Sequence, residues 1–89
     1  MSSVYDGLEA KLGQEKDWPK VYLFKFIIPS DNQLLAQVEA LFGREAQVTL
    51  NQSRTGKYIS VSAREMMISP KEVIERYEKA VKIEGVRAL

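Results

Sequence analysis

A glycine and a lysine stand together at Thr55-Gly56-Lys57, and this pair also occurs in phosphate-binding loops. Such loops need an earlier glycine, and they open a helix whose free N–H groups face the anion. Here the required position holds Asn51, and the residues after Lys57 have the β-branched character of a strand. The pattern therefore predicts a hairpin turn with Gly56 at positive φ, and argues against a phosphate loop.

Three basic side chains remain as candidates for recognition. Arg54 and Lys57 flank the turn, so the hairpin tip could attract an anion, although a solvated tip is the simpler interpretation. Lys25 is the only charged residue in the apolar segment from Val21 to Ile28. We expect its ammonium group to reach solvent, with a functional lysine as the alternative.

Composition excludes several kinds of chemistry. The 89 residues contain no cysteine and no histidine, which rules out disulfides, thiolate nucleophiles and cysteine-ligated metals. With 13 basic and 12 acidic residues, the chain lacks the basic excess that is typical of nucleic-acid binders. No segment has the apolar length of a signal peptide or a membrane span. We therefore predict a cytoplasmic protein that does not contact a membrane.

The spacing of apolar residues predicts the elements that position these side chains. The predicted order is strand, helix, strand, strand, helix, strand, after an N-terminal arm at 1–17. The predicted bounds are a helix from Val4 to Leu12, a strand at 21–28, a helix capped by Ser30 and Gln33 and closed by Gly43, a hairpin at 47–64, a helix opened by Ser69-Pro70-Lys71-Glu72, and a strand at 86–89. The arm either packs loosely or provides a partner-binding helix.

This order is typical of an α+β, ferredoxin-like βαββαβ sandwich, in which two helices cover one face of a four-stranded antiparallel sheet. We assign 18–89 to a single domain of this class. Right-handed crossovers place the first and third strands at the centre. The other face of the sheet, which no helix covers, is called the open face below.

Alternation of apolar and polar residues predicts the register of the hairpin, since antiparallel partners point to the same side. Leu50 should pair with Val61, and Val48 with Ala63. The connection is then either Thr55-Gly56 or 54–57. The outward residues form a polar row on the open face, consisting of Thr49, Asn51, Ser60 and Ser62.

Two activities known on this fold class find little support in the residues. RNA-recognition domains stack bases on outward aromatics of the third strand, but here Tyr58 is followed by Ser60 and Ser62 at the outward positions. An acylphosphatase-like enzyme needs an arginine in the loop after the first strand, and the segment at 29–32 has none. The carboxylates Glu65, Glu72, Glu75 and Glu78 are expected to form a solvated face and not a catalytic pair. We predict no catalytic, cofactor-binding or metal-binding residues, and no enzyme.

The hairpin carries a family resemblance. Ser53 to Ser62 resembles the Ser-x-x-Gly-x-Tyr-x-Ser-Val stretch of the YbeD-like family, which comprises small bacterial proteins of unknown function. Trp18-Pro19, Lys25 and Val86-Arg87 add to the resemblance, which covers about 17–89. It implies a ferredoxin-like fold similar to the ACT domains that sense amino acids. The chain has Ile27-Ile28-Pro29 where better-known members have a glycine, so the resemblance does not extend to amino-acid binding.

These observations predict a non-enzymatic regulatory or protein-interaction module with an unknown protein partner. Self-association as a homodimer would use the sheet edges or the open face around Leu23 and Ile27. The alternatives are a sensor of amino-acid-like small molecules with an ACT-like site, and a weak RNA-binding module. The predicted recognition surface comprises Lys25, Ser53, Arg54, Gly56, Lys57, Tyr58, Ser60 and Ser62.

Overall fold

The computed structural model describes residues 5–89, and the predicted helix start at Val4 lies outside this range. The seven elements are α1 (Asp6–Gly13), β1 (Lys20–Pro29), α2 (Asn32–Glu39), β2 (Gln47–Gln52), β3 (Tyr58–Met67), α3 (Pro70–Val81) and β4 (Arg87–Ala88). This order of strands and helices along the chain agrees with the predicted one, and the protein is an α+β protein. No helix within these residues has the length and apolar character that a bilayer crossing requires.

The strands form one four-stranded antiparallel sheet in the order β2-β3-β1-β4. The first and third strands are central, as the sequence predicts. Their pairing runs without a break from Lys20 opposite Met67 to Pro29 opposite Tyr58. This pairing explains why β3 continues past its predicted end at Arg64, because the start of β1 supplies hydrogen-bonding partners for three further residues.

The core lies between the sheet and the helices. Phe24, Phe26 and Ile28 alternate along β1 and are fully buried, as are Val61 and Ala63 on β3. The helices contribute further buried side chains to the same cluster, namely Val38, Val73, Tyr77 and Ala80. Because side chains alternate across a strand, the neighbours of these β1 residues point to the face that the helices leave uncovered.

The start and end of α2 differ from the prediction. Asp31, and not Ser30, caps the helix, since its Oδ1 accepts hydrogen bonds from the N–H groups of Gln33 (2.8 Å) and Leu34 (3.2 Å). Ser30 directly follows β1, and its N–H donates a hydrogen bond to the carbonyl of Lys57 at 2.9 Å. The helix also ends at Glu39 and not at Gly43, because the turn that follows contains hydrogen bonds that span three residues and not four. One of them joins the N–H of Leu41 to the carbonyl of Val38.

The capping prediction for α3 is confirmed. Ser69 Oγ accepts a hydrogen bond from the N–H of Glu72 at 3.4 Å, and Pro70 occupies the first helical position. The helix then buries Val73, Ile74, Tyr77 and Ala80 on one side. This amphipathic face fixes how α3 lies on the sheet.

The N-terminal helix packs against α3 at the margin of the core. The rings of Tyr5 and Tyr77 stack with centroids 5.5 Å apart, and Leu12 is buried. Trp18 donates its indole N–H to the carbonyl of Leu12 at 3.1 Å, which ties the end of α1 to the start of β1. All of these contacts lie on the helical side of the sheet, so α1 leaves the open face free.

Candidate functional site

The hairpin has the predicted register. Val48 lies opposite Ala63 and Leu50 opposite Val61. The connection is the longer of the two that were predicted, 54–57, because the N–H of Ser53 donates to the carbonyl of Tyr58 at 2.8 Å and closes the ladder there. Gly56 has a φ of 76°, which confirms its predicted role in the turn.

The predicted recognition residues separate into two groups. Ser53, Arg54, Gly56 and Lys57 lie at the hairpin tip, and Ser53 Oγ is occupied by a hydrogen bond from the N–H of Tyr58 at 3.1 Å. Lys25, Ser60 and Ser62 lie on the sheet itself, where Lys25 is opposite Ser62. Tyr58 stands at the boundary, opposite Pro29. Lys25 lies four positions before Pro29 on β1, so Lys25 and Tyr58 are about 13 Å apart along the strand.

The register defines the membership of the open face. Its strand residues are Val21, Leu23, Lys25, Ile27 and Pro29 on β1, Gln47, Thr49 and Asn51 on β2, Tyr58, Ser60, Ser62, Arg64 and Met66 on β3, and Arg87 on β4. A depression of ≈ 460 Å³ lies at the middle of this face. Its lining is Leu23, Lys25, Gln47, Thr49, Ser62 and Arg64. The site combines aliphatic groups, hydroxyl and amide groups, and two cations.

Arg64 and Arg87 belong to this face but were not among the predicted recognition residues. Arg64 lies opposite both Leu23 and Gln47, and Arg87 lies opposite Ile27. The alternation of β3 places Arg64 on the outward side, so the register could have identified it. β4 has only two residues, which is too short for any periodic pattern to fix the orientation of Arg87.

The charges of the open face are all of one sign. Lys25, Arg64 and Arg87 are its charged residues, and no aspartate or glutamate is among its members. Within residues 5–89, none of the three cations has a carboxylate oxygen within 4.0 Å. By contrast, Lys20 at the start of β1 forms an ion pair with Glu15, and Arg76 on the helical side of the sheet forms one with Glu65. The cations of the open face are therefore available to a ligand.

Glu65 points to the helical side of the sheet, and the expectation that it belongs to a solvated face is wrong. Its Oε1 accepts from Arg76 Nη1 at 2.7 Å and from the N–H of Gly43 at 3.2 Å. The hydrogen bond from Arg76 lowers the pKa of Glu65 below its ordinary value. The guanidinium of Arg76 also lies over the rings of Phe24 and Phe42. This carboxylate links β3 to α3 through Arg76 and to the turn after α2 through Gly43.

Other titratable groups on the helical side also serve packing. The hydroxyl groups of Tyr22 and Tyr77 lie 3.0 Å apart, and burial raises the pKa of Tyr77. In the part of the chain that the structure describes, no three acidic side chains converge in an arrangement that could hold a metal ion.

The chain was compared with protein families, curated proteins and solved structures. A family model described as a protein of unknown function (DUF493) matches residues 14–89. The comparisons with curated proteins and with solved structures found no match. The matched range contains all four strands and the helices α2 and α3, and therefore the whole open face. Because the match spans most of its length, this chain belongs to the DUF493 family.

Proposed function

We propose that this protein is a non-enzymatic regulatory or protein-interaction module, and that the open face is its binding surface. The observation that carries the proposal is the exposure of large apolar side chains on a central strand and its neighbour. Val21 is 56% exposed, Leu23 40% and Met66 55%. Val21 and Met66 lie directly opposite each other, so the three form one patch. Grouped apolar exposure on a regular sheet is a common mark of a protein-binding surface.

The rigidity of this surface supports the same function. β1 and β3 pair over ten residues each, and their inward side chains are anchored in the core. A partner would therefore meet side chains that are already held in place, which reduces the entropy lost on binding.

Of the two routes to a homodimer, pairing along the β2 edge is better supported than contact between open faces. A two-fold contact between open faces would bury the three cations Lys25, Arg64 and Arg87 of each copy in one interface, and the repulsion between like charges there is unfavourable. The β2 edge carries no charged residue and no proline, which are the usual features that prevent edge pairing.

Site-specific photo-crosslinking in the native cells tests the open face as a binding surface. A photoreactive residue at Leu23 or Ser62 should give adducts with another protein, since both positions face the proposed partner. The same residue at Glu75 or Lys82, both exposed on or next to α3, is the matched control and should give none. Adducts confined to the α3 positions, or absent from the open face, would exclude this surface.

We also infer a ferredoxin-like assignment and a YbeD-like relationship within the family. The strand order β2-β3-β1-β4, with a helix between the strands of each crossover, supports the fold assignment. The hairpin motif from Ser53 to Ser62 supports the relationship.

A sensor of amino-acid-like molecules is the second candidate function. A separate depression of ≈ 460 Å³ lies at the end of β1 and is lined by Ile27, Pro29, Tyr58, Gly85 and Arg87. It lies beside the first strand-to-helix turn, the region in which ACT domains bind their ligands, although the chain has Ile27-Ile28-Pro29 there and not the glycine of the better-known members. A rise in the unfolding temperature that grows with the concentration of one amino acid would support this function. A flat response across an amino-acid panel would exclude it.

A further inference from the structure

We propose that the open face binds an extended, acidic protein segment whose carboxylates occur at alternate positions. This inference rests on the proposed function and names the chemistry of the partner. It follows from the spacing of the three cations, their lack of carboxylate partners and the absence of a base-stacking surface.

The three cations lie on one diagonal across three neighbouring strands. Arg64 on β3 is opposite Leu23, and Lys25 follows Leu23 by two residues on β1. Arg87 on β4 is opposite Ile27, which follows Lys25 by two residues. Each cation is thus the diagonal cross-strand neighbour of the next, and such neighbours are about 7–8 Å apart.

This spacing matches an extended peptide. Alternate residues of an extended chain point to the same side and repeat at about 6.6–6.8 Å. The long side chains of lysine, arginine and glutamate accommodate the remaining difference of about 1 Å per step. Three carboxylates at alternate positions can therefore each contact one cation. Arg64 and Arg87 can each donate two parallel hydrogen bonds to the carboxylate that they contact.

The surroundings of the diagonal favour a peptide over a nucleic acid. Val21, Leu23 and Met66 form an aliphatic patch on one side, which suits an apolar residue of the peptide or the methylene groups of a glutamate. Single-stranded RNA binds with its bases stacked on aromatic rings, and Tyr58 is the single aromatic member of the open face.

Two carboxylates lie near the diagonal without belonging to it, since Glu45 and Glu65 border a third depression together with Arg64, Val21 and Met66. Glu65 is paired with Arg76, whereas Glu45 precedes β2. Glu45 forms no ion pair with Arg64 within 4.0 Å. Glu45 would repel a carboxylate that approaches Arg64, so its neutralisation should strengthen the binding of an acidic peptide.

Fluorescence anisotropy with the full chain tests this inference. The probe is a labelled peptide of alternating glutamate and valine with three glutamates, because valine favours the extended conformation. We expect binding that weakens as salt is added. Each of Lys25→Gln, Arg64→Gln and Arg87→Gln should weaken it about two- to five-fold, and Glu45→Gln should strengthen it by a similar factor.

A matched control separates the open face from total charge. The variant Lys25→Gln/Arg64→Gln/Arg87→Gln should lose binding. The variant Lys71→Gln/Lys79→Gln/Lys82→Gln removes the same charge from exposed positions on or next to α3 and should keep it. Thermal unfolding of both variants verifies that they fold. Equal losses in the two variants would overturn the inference.

Two further probes test the spacing and the class of partner. A peptide of the same composition with its glutamates adjacent should bind more weakly, and equal binding would overturn the diagonal match. Tighter binding of oligouridine would assign the face to RNA. If the alternating peptide does not bind while Leu23 still gives protein adducts in cells, the acidic partner is wrong and the proposed function stands. If the adducts are also missing, both fail.

Discussion

At the scale of single residues, Glu65 shows how one face of a strand serves the fold while the other remains available for binding. Glu65 and Arg64 are adjacent on β3 and point to opposite sides. Glu65 is held by Arg76 and by the N–H of Gly43. Arg64 has no carboxylate within 4.0 Å among the described residues. Glu65 is therefore bound within the fold, whereas the lack of such a pair leaves Arg64 open to a ligand.

Glu65→Gln should therefore lower the free energy of unfolding at neutral pH, by about 1–3 kcal/mol, since hydrogen bonds to charged groups contribute in this range. The pKa of Glu65 is lowered in the folded state. The stabilisation from the Glu65 carboxylate is therefore complete at pH values above the ordinary carboxyl pKa, and it is lost as the pH falls from there through the lowered pKa. Urea unfolding of both proteins should thus give a gap at pH 7 that closes on acidification. Glu75→Gln, an exposed change on α3, is the control and should show no gap. A gap that is constant with pH would contradict the assigned role of the carboxylate.

At the scale of elements, β1 joins the two sides of the molecule. Its even-numbered residues from Phe24 to Ile28 are fully buried, whereas Val21, Leu23 and Lys25 are exposed. The ring of Phe24 contacts the rings of Tyr22, Phe42 and Tyr77, and the guanidinium of Arg76 lies over it. The same strand therefore provides the centre of the core and the centre of the open face.

Adjacent substitutions on β1 should accordingly differ in their effect. Phe24→Ala removes a fully buried ring and should lower the free energy of unfolding by about 3–5 kcal/mol. This loss is a large part of the stability of a small domain, so a substantial fraction of the molecules should be unfolded. Leu23→Ala removes a side chain that is 40% exposed and lies outside the core, and it should change stability by less than about 1 kcal/mol. Leu23→Ala should nevertheless reduce crosslinking of the proposed partner at Ser62. Denaturant unfolding by circular dichroism measures both variants, and similar costs at the two positions would contradict the division of β1 between core and open face.

At the scale of the whole molecule, the two edges of the sheet differ, because one edge is the six-residue strand β2 and the other is the two-residue strand β4. Because the N–H of Ser53 pairs with Tyr58, the main-chain groups of Val48, Leu50 and Gln52 point away from β3. No strand covers them within residues 5–89, and the side chain of Leu50 is exposed beside them. On the other side, β4 covers part of β1 through Ala88 and Arg87.

We expect the protein to self-associate through this β2 edge. Light scattering should show a mass that rises with concentration, and Leu50→Lys should keep the chain monomeric, since lysine on an edge strand opposes strand pairing. Ser62→Lys on the open face is the control and should leave the rise unchanged. A strict monomer at high concentration, or an equal response of both variants, would exclude edge pairing. The cytoplasmic location stays a prediction.

The sequence by itself determined the features that depend on neighbours along the chain. The order of the elements, the register of the hairpin and the turn at Gly56 follow from alternation and from the special conformations of glycine. The cap of α3 follows from Ser69 and Pro70. The predicted cap of α2 was wrong, because the adjacent residues Ser30 and Asp31 are both suitable caps. In the structure Asp31 caps the helix, and the N–H of Ser30 donates to the carbonyl of Lys57 in the hairpin turn.

Only the tertiary structure decided which basic residues lie together on the open face. Thr55, Gly56 and Lys57 are neighbours in the sequence, but they lie at the hairpin tip, away from the exposed apolar patch. Lys25, Arg64 and Arg87 come from three strands that are far apart in sequence, and no periodic pattern relates them. The pairing of β1 with β3 and with β4 brings them onto one diagonal. Strand order and long-range register set that line, because they depend on how the whole core packs and not on any single segment.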